Sequence, residues 1–181
     1  VIDRDFNIED SMKRNYRVIP IKTLELPIDM DDSSLFRQMK SDCRNFIRQF
    51  ERRGATLEIA QPDDKFAEEY YQQLIEVFSK QGLIPTYGCE KVKILLRNLG
   101  NSENLLCLRV RDAEGKCIAT SIFPAYGQYF YFWGGASYRN GQFYRPNEGI
   151  QWYAIKYWKN RGISCYNMVG VRNYKMKFGP S

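Results

Sequence analysis

The sequence predicts an α+β domain, a mixed and largely antiparallel sheet flanked by helices. Three observations carry that expectation. An apolar stripe at helical spacing runs through residues 35–53. The hydrophobic period then drops to two across residues 105–133, the pattern of an antiparallel meander. A helix over residues 148–161 leads into one more strand. The predicted order is β-α-β-α-α-β-β-β-α-β.

Taken in order, residues 17–28 read as a short strand whose prolines confine it to an edge. Asp31, Asp32, Ser33 and Ser34 offer side-chain oxygens to cap the helix that follows. In that helix Leu35, Phe36, Met39, Cys43, Phe46, Ile47 and Phe50 share an arc of about 120°. Arg37, Lys40, Arg44, Arg48 and Arg52 fill the adjoining arc, and Gly54 ends the helix after Arg53. A strand over 55–60 precedes a helix from Pro62 to about Gln81, and a shorter helix spans Glu90 to Leu99. Leu106, Leu108 and Val110 alternate with Cys107, Arg109 and Arg111, and Lys116–Phe123 returns after the turn at residues 112–115. Tyr129–Trp133 is the third strand of the meander. Asn147 caps the helix from Glu148 to Arg161, Gly162 closes it, and Ile163–Val169 is the last strand. Residues 1–16 are an N-terminal extension or the remnant of a preceding segment, and 17–181 form the domain. The chain opens on Val1, as a piece of a longer protein would.

Composition narrows the chemistry. The 181 residues include 27 basic and 21 acidic side chains, a net charge of +6 that admits a polyanionic ligand. Hydrophobic content of 44% excludes intrinsic disorder, and no apolar run approaches the roughly 18 residues of a membrane-spanning helix. There is no histidine, which removes Ser-His-Asp and Cys-His activation and every imidazole metal site. The five cysteines form no C-x-x-C pair and sit among apolar neighbours, so neither a disulfide scaffold nor a zinc module is expected, and a reducing cytosol is.

Four segments carry candidate chemistry. The basic arc of the first helix has its nearest acids, Asp42 and Glu51, largely off it, so it reads as an anion-binding face as well as a solvated one. Aromatic residues concentrate after residue 126, all three tryptophans included, and the run Tyr129–Trp133 reads as core rather than as a base-stacking strand. Arg145-Pro146-Asn147-Glu148-Gly149 opens a helix where N–H groups await an anion, without the spacing of G-x-x-x-x-G-K-[ST] or G-x-G-x-x-G. Gly170–Gly179 places Lys175 and Lys177 beside a terminal Phe-Gly.

Together these segments resemble the FemAB-like branch of the GNAT acyltransferase superfamily. Arg44-Asn45-Phe46-Ile47-Arg48 followed by Gly54 resembles its R-x-x-I-R helix, Tyr166–Gly170 its Y-D-x-x-G strand end, and Tyr174–Gly179 its Y-K-x-x-F-G motif. Asn167 stands where that branch carries Asp, and only Gly149 remains of the GNAT pyrophosphate loop. The resemblance implies a GNAT-like fold and transfer of an acyl or aminoacyl group to an amine acceptor, small or lipid-linked, in cell-envelope or polysaccharide biosynthesis. The donor would be a coenzyme A thioester or aminoacyl-tRNA, acting as co-substrate with no bound cofactor or metal. The location it implies is cytoplasmic, or peripheral at the inner membrane surface. It assigns Lys175 to phosphate or developing negative charge. Arg44 and Arg48 would hold an anionic part of a substrate, Arg145 and Asn147 a donor phosphate, and Asn167 a further substrate contact. With no histidine, Glu148 and Tyr138 are the base candidates. Two rival readings stay open: a non-catalytic module that binds RNA or an anionic glycan, and one structural half of a two-domain transferase.

Overall fold

The computed structural model describes residues 22–180. The extension at 1–16 and the start of the strand expected at 17–28 lie outside the described residues. What is described is an α+β domain in which a seven-stranded, mostly antiparallel sheet carries helices on both faces. The elements are β1 (Glu25–Pro27), α1 (Asp32–Gln38), α2 (Ser41–Arg52), β2 (Thr56–Ile59), α3 (Asp64–Ser79), α4 (Cys89–Leu99), β3 (Leu105–Arg111), β4 (Cys117–Tyr126), β5 (Tyr129–Tyr131), β6 (Gly134–Ser137), α5 (Pro146–Lys159) and β7 (Cys165–Asn167). Two 3-10 segments, Arg139–Tyr144 and Asn173–Phe178, complete it.

The strand order is β1-β7-β5-β4-β3-β2, with β6 also on β4. Every pairing is antiparallel except β5 with β7. Leu106, Leu108 and Val110 face the layer built from α1, α2 and α5, while Cys107, Ile122 and Ala136 face α3 and α4. Both faces of the central strands are therefore covered, which is why apolar residues sit at successive positions there. The aromatic run behaves as core: Phe130 is fully buried, and its ring stacks on Tyr166 across the parallel pair at 4.1 Å.

The structure departs from the sequence reading at three places. The first helix is two helices. Asp31 caps α1 by accepting the Ser34 N–H at 2.9 Å. At Lys40 the backbone N–H turns outward to the carbonyl of Lys177, at 2.8 Å, and the helical ladder breaks. The buried stripe of Leu35, Met39, Cys43 and Ile47 survives the break. The strand expected at Tyr129–Trp133 ends at Tyr131, and a strand that the sequence reading took for loop, β6, follows it: β5 lies between β4 and β7, whereas β6 pairs with β4 alone. Asn147, finally, is not the cap of α5. Arg145 holds that position in a left-handed conformation at φ 55, Pro146 opens the helix, and Asn147 lies in its first turn.

Gly149 has a different duty from the phosphate cradle its place suggested. A Cβ there would drive into the Phe50 ring, whose Cε1 would lie at 2.6 Å. The bare backbone is what lets α5 close on α2. Gly149→Ala is expected to cost about 1–3 kcal/mol through overpacking, with part of the loss recovered in a Gly149→Ala/Phe50→Leu double variant. Thermal melts of the three proteins check this.

Candidate active site

The site follows from the split between β5 and β6. The β5–β7 contact ends where the Phe132 N–H donates to the Asn167 carbonyl at 3.0 Å. Beyond that point β7 stops and β6 stays with β4, so the sheet opens. Register fixes what faces the opening. The Tyr138 N–H bonds the Ile118 carbonyl at 2.9 Å, and residues 134–137 keep the same pairing with residues 119–122. Bonding alternates along an antiparallel pair, so residues 134, 136 and 138 are given to β4. Gly135 and Ser137 turn their N–H and C=O groups the other way, into the opening.

A cavity of about 280 Å³ fills this space, lined by Val77, Ser121, Phe132, Gly135, Ala136, Ser137, Asn147, Gln151 and Tyr174. It reaches from α3 on one face to α5 on the other, where Asn147 and Gln151 lie one turn apart. Gln151 is buried and accepts the Tyr166 hydroxyl, and Ser137 Oγ accepts from Gln142 at 2.6 Å. Gly135 again has no room for a side chain: a Cβ would stand 2.5 Å from Ser121 Oγ and 3.1 Å from the Phe132 ring. Tyr174 is 41% exposed as a whole, yet desolvation of its hydroxyl, with the charge of Glu148 second, pushes its pKa up to about 12.

Of the residues expected to form the site, Asn147 lines this cavity and the others are engaged elsewhere. Lys175 is buried, and its ammonium donates to the carbonyls of Met168 at 2.6 Å, Val169 at 2.5 Å and Gly170 at 3.4 Å. Its three protons thus face three carbonyls, so in this structure the lysine holds the turn after β7 and does not line the cleft. Asn167 serves the same turn: its Oδ1 accepts the Val169 N–H at 2.9 Å and the Thr23 hydroxyl at 2.7 Å. Glu148 is buried and ion-paired with Lys177, so its carboxylate is taken rather than free to act as a base. Tyr138 lines a different depression, and burial raises its pKa, the wrong direction for a base. Arg44 closes the C-terminus of α1, donating to the carbonyls of Met39 and, at 3.0 Å, Arg37. Arg48 lies over the Phe36 ring at 5.3 Å, and Arg145 over Phe46 at 4.1 Å with Nε 3.4 Å from Gln49 Oε1.

The residues the sequence reading missed are Ser121, Gly135, Ser137, Gln151 and Tyr174. The paired glycines Gly134 and Gly135 directly after the aromatic run were the available signal, since glycine beside a strand marks a break or a close approach. Among the described residues no cluster of three or more His, Cys, Asp or Glu side chains could hold a metal ion. No helix among them is long and apolar enough to cross a membrane.

The chain thus forms a mostly antiparallel sheet with helices on both faces that opens between β6 and β7, with a cleft at the split. Residues 37–176 match the model of the acetyltransferase (GNAT) domain family, and the chain belongs to that family. Solved structures agree on the fold. FemX superposes with a TM-score of 0.78 at 15% identity over 88% of this chain and 58% of its own. L-PGS from Bacillus licheniformis gives 0.63 at 16%, over 94% and 61%. N-myristoyltransferase from Saccharomyces cerevisiae, with bound myristoyl-CoA and inhibitors, gives 0.51 at 14%, over 91% and 48%. The chain thus spans less than two thirds of each of these structures. No curated protein matches it in sequence.

Proposed function

We propose that this chain is an N-acyltransferase that moves an acyl or aminoacyl group from a coenzyme A thioester or an aminoacyl-tRNA to an amine, with the reaction in the cleft between β6 and β7. The observation that carries this reading is the pair of outward-facing strand amides at Gly135 and Ser137. An extended, amide-bearing donor arm pairs with such an edge as an added strand would. An N–H left over at the carbonyl end stabilises the oxyanion of the tetrahedral intermediate. The amine nitrogen attacks the carbonyl carbon, a new C–N bond forms, and the C–S or C–O bond to the donor breaks. The Tyr174 hydroxyl, protonated up to about pH 12, gives its proton to the leaving group and takes one back from the nitrogen, which turns acidic as the C–N bond forms, so the net proton passes from the amine to the departing thiol or hydroxyl. The Asn147 and Gln151 amides orient the substrates from the α5 side. N-myristoyltransferase, solved with bound myristoyl-CoA, shares the fold, which supports a coenzyme A thioester as the first donor to try.

Among the described residues Tyr174 is the one ionisable side chain lining the cleft, so none of them there takes a proton near neutrality. The acceptor amine therefore has to arrive neutral. The expected kcat/KM rises with pH and levels off above the amine's own pKa. It shows no fall up to about pH 10, because Tyr174 titrates well above that. Changing to an acceptor amine of lower pKa moves the inflection with it, and Tyr174→Phe lowers kcat without moving it. An inflection that ignores the amine would mean that a protein base has been missed. The transferase reading itself is tested by thiol release from acyl-CoA thioesters and deacylation of aminoacyl-tRNA in the presence of amines. Amine-independent binding with a steep salt dependence and no turnover favours the anion-binding module instead.

A further inference from the structure

Next to the cleft lies a second, wider depression of about 730 Å³, lined by Glu76, Lys80, Lys116, Tyr138, Arg139 and Asn140. The two adjoin through consecutive residues: Val77 and Ser137 line the cleft, Glu76 and Tyr138 the depression. Three cations here face one carboxylate. Glu76 Oε1 accepts both the Lys80 ammonium and, at 3.2 Å, the backbone N–H of Arg139. The Lys116 ammonium and the Arg139 guanidinium have no carboxylate within ion-pair distance among the described residues. Elsewhere on the α3–α4 side of the sheet four cations are ion-paired, while Lys65 and Lys91, one on each helix, are not among the ion pairs of the described residues. Lys93 meets Glu68 at 2.6 Å, Arg97 meets Asp64 at 2.8 Å, Arg109 meets Glu58 at 2.8 Å and Glu69 at 2.5 Å, and Arg111 meets Glu58 at 3.1 Å.

We infer that this depression is an anion subsite whose place is held in the free protein by Glu76, and that a phosphate or carboxylate group of the substrate in the cleft displaces it. Glu76 sits where an anion of the ligand would: it takes a main-chain N–H at the start of the 3-10 segment and an ammonium on the neighbouring helix. Its side chain is 37% exposed and on a helix surface, free to swing into solvent when it yields those donors. An incoming group then gains the Arg139 N–H and Lys80, together with the unmatched charges of Lys116 and Arg139. The Lys80 hydrogen bond, followed by that of the Arg139 N–H, keeps the Glu76 carboxyl below the ordinary carboxylate range, so the competition is between two anions. The inference rests on the cleft being the substrate site.

The test is titration of the chain with inorganic pyrophosphate and with succinate at constant ionic strength, followed by calorimetry. Glu76→Gln is expected to tighten binding of the preferred anion about tenfold, and Arg139→Gln or Lys116→Gln to weaken it about tenfold. All three changes lie at the surface and leave the fold intact. The bound anion should also inhibit transfer, competitively against the donor if the group belongs to the donor and against the acceptor if it belongs to the acceptor. No binding of either anion even to Glu76→Gln, or equal binding by all variants, overturns the subsite. Anion binding that obeys the variants in a protein without transferase activity would keep the subsite and sink the transferase reading. Full transfer with no anion binding would do the reverse.

Discussion

Lys175→Ala should lower the melting temperature by about 6–12 °C. The wild-type ammonium joins three successive carbonyls at the end of β7, from Met168, Val169 and Gly170. Hydrogen bonds to a charged group are worth about 1.5–3 kcal/mol, and the partner left unsatisfied at buried Met168 adds to the loss. The turn is also strained, because Val169, a β-branched residue, sits at φ 51 and Gly170 at φ 76. A total near 3 kcal/mol at about 2–4 °C per kcal/mol gives that range for a domain of this size. Lys175→Arg tests the geometry, since a planar guanidinium does not reproduce three converging bonds. A melting temperature unchanged in Lys175→Ala would return the lysine to the list of groups available to substrate.

Gly135→Ala should cut kcat/KM by about a hundredfold while the protein remains folded. The added carbon would stand 2.5 Å from Ser121 Oγ and 3.1 Å from the Phe132 ring, so β6 or Phe132 must move. Both line the cleft, and Gly135 carries one of the two amides proposed to meet the donor. A displacement approaching 1 Å at a reacting centre costs about 10²-fold. The accompanying loss of stability is about 1–3 kcal/mol, the usual range for overpacking. Adding Ser121→Gly removes the closest obstruction and should restore part of the activity. Steady-state kinetics beside thermal melts separate the two effects. Activity that falls only in proportion to folded protein would place the chemistry elsewhere.

How far the sequence could be read depended on whether its determinants were local. The stripe from Leu35 to Ile47, the alternation of β3 and the cap at Asp31 are set by neighbours a few residues away, and each was legible. The break at Lys40 was not, because it is made by the Lys177 carbonyl, far along the chain. β6 was missed because its paired glycines read as loop, and its open edge depends on β7 ending at Asn167, far along the chain. The candidate site suffered most. Cationic and carboxylate side chains drew attention as reagents, yet Lys175, Glu148 and Arg44 are used to hold turns and helix ends. The cleft is made instead of main-chain amides and small or neutral side chains, whose roles exist only once the sheet has opened.

The central claim is that the cleft between β6 and β7 binds the acyl donor through the outward amides of Gly135 and Ser137. Its most direct test is an amide-resolved NMR titration of the labelled chain with acyl-CoA thioesters and aminoacyl-tRNA. The largest shift changes are expected at Gly135 and Ser137, with smaller ones at the side-chain amides of Asn147 and Gln151, and none of them in Gly135→Ala. Saturable shifts confined to the α1–α2 face around Arg48 and Arg52, with Gly135 and Ser137 unmoved, would contradict it.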